Sequence, residues 1–63
     1  MEDKLMTSKE VAEYLGVSEG TMYEYRALGT GPTYIRLGGR LVRYHLSDVK
    51  AWLDKQKSDE NKK

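Results

Sequence analysis

Glu10–Arg26 reads EVAEYLGVSEGTMYEYR, two helical patterns separated by only three or four residues. Val11, Ala12 and Leu15 form one apolar face of the first pattern, and Met22 and Tyr25 form that of the second, with Leu28 near its end. Gly16 sits between them, at a helix end where a left-handed backbone is easiest without a Cβ. Ser18 follows as an N-cap. Upstream, Thr7 and Glu10 have capping-box spacing, and Met6 before the cap suits a hydrophobic staple to Val11. Gly29 stops the second helix.

The spacing of Val11, Ala12, Leu15, Gly16, Val17, Met22 and Tyr25 matches a DNA-binding helix-turn-helix. In that unit a small residue such as Ala12 lets the helices cross closely, and the apolar side chains pack the angle between them. The helix pair alone also fits an ordinary helical hairpin with no ligand.

The next stretch, TGPTYIRLGGRLVRYHLSDVKAWL, opens on a breaker loop, Thr30-Gly31-Pro32. YIRL and RLVRY then flank Gly38-Gly39, a two-residue hairpin signal. That turn sets Leu37 opposite Arg40, Arg36 opposite Leu41 and Ile35 opposite Val42. Ile35, Leu37, Val42 and Tyr44 would then face inward, and Tyr34, Arg36, Leu41 and Arg43 outward. Arg40 lies at the tip beside two glycines that permit close approach to a surface. The pattern predicts a wing, a basic hairpin next to the helix pair. Ser47 caps a last helix with Asp48 in its first turn, and Leu46, Val49, Trp52 and Leu53 form its apolar stripe. From Lys55 onward no apolar residue occurs.

Composition sets bounds. A chain of 63 residues is one small domain that buries only about 60% of its unfolded surface, which leaves little room for an enclosed active site. With no cysteine, neither disulfides nor a thiolate metal site can brace it. Apolar runs are too short for a membrane span or a signal peptide, which points to an intracellular, cytoplasmic protein. The net charge of +1 is uninformative, but its distribution is not. Residues 1–33 carry three basic and six acidic groups, a net of −3, and residues 34–63 carry eight and four, a net of +4. Within Tyr34–Tyr44 there are three arginines and no acid.

The order helix, turn, helix, GTGP, YIRLGGR, VRY, SDVKAWL resembles the excisionase family of small winged-helix proteins, related to the MerR-type DNA-binding domain and including AlpA-like regulators. The likeness covers roughly Leu5 to Leu53. It implies an α+β, mainly α fold: a winged helix-turn-helix of three helices and a two-stranded hairpin wing. The domain is expected over residues 1–54, and the stretch 55–63, charged and without apolar residues, is expected to be a flexible tail. The likeness also implies double-stranded DNA as partner, with the recognition helix in the major groove and the wing on the adjacent minor groove or backbone. Excisionases of this family bind repeated sites cooperatively, bend DNA and help an integrase run in the excision direction. The alternatives are a transcriptional regulator of AlpA type and a small adaptor acting through protein contacts.

Many relatives carry arginine or lysine on the recognition helix, where this chain has Glu19 and Glu24. Both repel phosphate, yet a glutamate can accept a hydrogen bond from cytosine N4, and Gly20 leaves room for close approach. Either acid could instead offset local charge or pair with Arg26. The expected DNA-contacting set is Ser18, Glu19, Gly20, Thr21, Tyr23, Glu24 and Arg26 on the helix, with Arg36, Gly38, Gly39, Arg40 and Arg43 on the wing. Phosphate contacts fall mainly to Arg26, Arg36, Arg40 and Arg43.

Tyr25, Tyr44 and Trp52 read as core, and Met1 as the initiator. Tyr14 could cover the core edge or touch backbone. His45 has no partner at ligand spacing, so no metal is expected. No phosphate loop, nucleophilic constellation or carboxylate pair suggests an enzyme or a cofactor. With no heptad repeat, a monomer is expected in free solution. Copies could meet along DNA through Glu10 and Glu13 on one protomer and the basic wing or tail of its neighbour.

Overall fold

The structure is a computed structural model and describes residues 3–61. Its elements are β1 (Leu5–Met6), α1 (Ser8–Leu15), α2 (Glu19–Leu28), β2 (Ile35–Leu37), β3 (Leu41–His45) and α3 (Leu46–Asn61). The expected initiator, Met1, and the last two residues of the expected tail lie outside the described residues.

Local signals define α1 and α2. Glu10 N–H donates to Thr7 Oγ1 at 3.1 Å and Thr7 N–H to Glu10 Oε1 at 2.9 Å, a complete capping box. Gly16 ends α1 at φ 76°, and Val17 N–H reaches back to the Ala12 carbonyl at 2.9 Å. One residue later Ser18 Oγ accepts from Thr21 N–H at 3.1 Å and starts α2. The turn is short because only Val17 separates the glycine that ends one helix from the serine that begins the next.

The core is Met6, Val11, Ala12, Met22, Tyr44 and Val49, with Leu15, Val17, Tyr25, Tyr34, Val42 and Leu46 packed around it. Every element except β2 contributes a buried residue to it. Each fully buried large side chain contributes about 1.5–3 kcal/mol, so few positions carry most of the stability. Leu28 is not among them and is 74% exposed.

The sheet differs from expectation in two ways. It has three antiparallel strands in the order β1-β3-β2, because Leu5 and Met6 pair with His45 and Tyr44. The hairpin register also differs by one residue: Ile35 pairs with Arg43, Arg36 with Val42 and Leu37 with Leu41. Gly38 and Gly39 both have positive φ, and Arg40 N–H closes the turn onto the Leu37 carbonyl at 3.2 Å. Arg40 stays in the loop instead of pairing. A one-residue shift turns every side chain of a strand to the opposite face. Hence Tyr34 and Arg36 share the core-side face with Val42 and Tyr44, while Ile35 and Leu37 lie on the outer face with Leu41 and Arg43.

The start of α3 is also set from a distance. The helix begins at Leu46, whose N–H donates to the Lys4 carbonyl at 2.9 Å. Ser47 N–H and Ser47 O–H donate to the two oxygens of Asp3, at 3.0 and 2.6 Å. Asp3, and not Ser47, supplies the capping acceptor. At its other end α3 continues past Leu53 and Lys55 to Asn61, into the stretch expected as a tail.

Candidate nucleic-acid interface

The N-terminal half of α2 presents an open face. Glu19, Gly20, Tyr23 and Glu24 are exposed, Tyr23 to 67%. Thr21 is half-buried, and its hydroxyl lies 3.0 Å from Ser18 Oγ, so these two expected contacts satisfy one another at the helix start. A Cβ at Gly20 would meet only Ser18 Oγ, at 3.7 Å. Glycine is therefore not required there by packing within the chain. Among the described residues neither Glu19 nor Glu24 forms an ion pair.

The three wing arginines separate. Arg40 is exposed at the tip, beside the two glycines. Arg36 is exposed on the core-side face, its guanidinium carbon 5.6 Å from the centre of the Tyr34 ring. Arg43 is half-buried on the outer face and donates to the Val42 carbonyl at 2.7 Å.

Arg26, the expected phosphate contact on the helix, lies behind the open face of α2. It is half-buried, and its Nη1 donates to Ser8 Oγ at 2.9 Å and to Tyr44 Oη at 3.0 Å. The Tyr44 ring lies 5.9 Å from that of Tyr34. On the other side, the Arg26 guanidinium carbon is 5.9 Å from the Tyr23 ring centre. A continuous chain of side chains thus runs from Tyr23 on α2, through Arg26, Tyr44 and Tyr34, to Arg36 on the wing.

The model of a helix-turn-helix domain family matches residues 5–57. This chain belongs to that family. The match takes in the helix pair, the wing and the greater part of α3, and it supports DNA binding as the role of the domain. No curated protein matches it.

Within this helix-turn-helix domain, the expected site residues therefore fall into groups. Glu19, Gly20, Tyr23 and Glu24 share the open face of α2, and Gly38, Gly39 and Arg40 form the tip of the wing. Ser18 caps the helix by accepting from the Thr21 N–H, Arg26 lies behind the face, and Arg43 curls onto its own strand. Sequence reading missed Ser8, Tyr34 and Tyr44 as connectors. The strand period places Tyr44 in the core but says nothing of where its hydroxyl points.

Two carboxyls elsewhere are held below their ordinary range. Asp3 is lowered chiefly by the Ser47 hydroxyl and N–H, with His45 and Lys50 adding through charge. His45 Nδ1 is 3.3 Å from Asp3 Oδ2 but makes no hydrogen bond. Glu10 is lowered chiefly by the Thr7 N–H, with smaller contributions from Lys4 and Arg43. Both groups belong to helix starts. No described helix is long and apolar enough to cross a membrane.

Proposed function

We propose that the protein is a sequence-specific DNA-binding protein of the excisionase kind, which binds and bends DNA so that an integrase excises a mobile element. The observation that carries the reading is the pairing of an acidic, open α2 face with a hairpin whose exposed cations, Arg36 and Arg40, have no acid beside them in the strand sequence. Such a division assigns base reading to the helix and backbone attraction to the wing. Glu19 accepts from a cytosine N4 in the major groove, Gly20 admits the base edge, and Tyr23 offers a hydroxyl. Arg40 and Arg36 neutralise phosphates and release counterions, each contact contributing about 0.9 to the salt slope. The excision role rests on the likeness of GTGP, YIRLGGR, VRY and SDVKAWL to that family. An integrase and neighbouring copies on DNA are the partners it implies.

Selection from a random duplex pool tests the reading, followed by footprinting and a gel-mobility measurement of bending. The proposal expects enrichment of a motif present in repeated copies, cooperative loading and a bent product. A single isolated site with straight DNA would favour transcriptional regulation. No enrichment, together with salt-independent retention on duplex, would refute DNA binding.

A further inference from the structure

We propose that Arg26 is a positioning residue that sets the orientation of α2 against the wing, and so governs discrimination between DNA sequences without contacting phosphate. This rests on reading α2 and the wing as the DNA interface. The Arg26 Nη1 carries two protons, and both are committed: one to Ser8 Oγ in the first turn of α1 at 2.9 Å, the other to Tyr44 Oη on β3 at 3.0 Å. One guanidinium thereby ties α2 to α1 and to the sheet. Tyr44 is fully buried, so its hydroxyl is a fixed anchor. Tyr34 packs against the Tyr44 ring, and Arg36 against Tyr34. At the other end Tyr23 stands beside the same guanidinium on the open face of α2. The position of the face that carries Glu19 and Gly20 is thus referred, through side chains, to the strand that carries Arg36. Reading a base edge needs its groups held within about 0.5 Å, and this linkage supplies the constraint. Lysine does not replace it: its ammonium ends one bond short of the Nη1 position, and it lacks the planar face that lies beside the Tyr23 ring.

The test uses the full chain with Arg26→Lys, Tyr44→Phe, Ser8→Ala and Arg26→Gln. Each variant is titrated with the selected duplex and with random duplex across a salt series. The orientation of α2 against β2–β3 is measured without DNA from residual dipolar couplings. Tyr44→Phe leaves every charge in place and keeps the buried ring, so it remains informative if an Arg26 variant fails to fold. The expected result is a site-to-random ratio about tenfold lower in Arg26→Lys and Tyr44→Phe, comparable to one mismatched base pair. Random-duplex affinity and salt slope should match wild type, and the couplings should show a changed α2 orientation. The proposal is overturned if Tyr44→Phe and Arg26→Lys keep both ratio and orientation while Arg26→Gln lowers the slope by about one, the mark of a phosphate contact. Should wild type itself show no preference among duplexes, the DNA reading falls first, a result distinct from an unchanged ratio in a selective protein.

Discussion

Gly31→Ala probes the joint between the recognition helix, the wing and α3. A Cβ on Gly31 would stand 2.6 Å from Tyr25 Cβ and 3.0 Å from Tyr25 Cγ. Carbon atoms prefer about 3.5–4.0 Å, so the loop and the helix must part by roughly 1 Å. Tyr25 Cβ is fixed to the backbone of α2 and cannot rotate aside. The loop is held as well: Thr30 N–H donates to the Tyr25 carbonyl at 3.0 Å, and Trp52 Nε1 donates to the Thr30 carbonyl at 3.0 Å. Tyr25 and Trp52 also pack ring to ring at 5.4 Å. Overpacking of this kind costs about 1–3 kcal/mol. Loss of unfolded-state freedom returns only about 0.4–1 kcal/mol, so the clash wins. A domain of this size is stable by roughly 3–9 kcal/mol, and thermal unfolding followed by circular dichroism should show Tm lower by about 5–15 °C. Gly20→Ala is the comparison: its Cβ meets only an ordinary contact at 3.7 Å, and alanine in a helix gains about 0.5–1 kcal/mol. A Gly31→Ala protein as stable as wild type would refute the reasoning.

Three further outcomes follow from the same contacts. Asp3→Asn should lower stability at neutral pH and flatten its fall in acid. The Asp3 carboxyl is held below its ordinary range, so its contribution is full above that range and is lost as pH falls from there through the lowered folded-state value; urea titrations of both proteins from neutral to acid pH should converge at the acid end. Glu19→Ala should tighten random-duplex binding by removing a repulsive charge, yet weaken the selected site by roughly 1–3 kcal/mol if Glu19 accepts from cytosine; a rise at both sequences would leave Glu19 as a charge balancer. Arg40→Ala should weaken selected and random duplex alike and reduce the salt slope by about one; unchanged affinity for both at low salt would remove the wing tip from the interface.

The helix pair was legible because its boundaries are written in adjacent residues. Thr7, Glu10, Gly16, Ser18 and Gly29 each act within four positions of themselves, and each does what its chemistry suggests. What was missed depends on distant partners. Leu5 and Met6 form a strand only because His45 and Tyr44 lie beside them, and two residues carry no periodicity. Asp3 caps α3 across 44 positions, which no local pattern records. The hairpin error is of another kind: Gly38-Gly39 suggested a two-residue loop, but Arg40 stays unpaired, and that one extra residue reversed the faces of β2. In the candidate site, exposure of Tyr23 and Glu24 followed from helical period. The inward turn of Arg26 did not, since it is set by Tyr44 and Ser8, each 18 positions away.

The central claim is that duplex DNA is engaged by the open face of α2 together with the tip of the wing. Amide chemical-shift mapping of the labelled protein during titration with duplex at low salt addresses it directly, before any target sequence is known. The account predicts perturbations concentrated at Glu19–Glu24 and at Arg36–Arg40, diminishing as salt is raised, with the Ala51–Lys55 stretch of α3 little changed. Perturbations centred on α3, or none at either α2 or the wing, would contradict it.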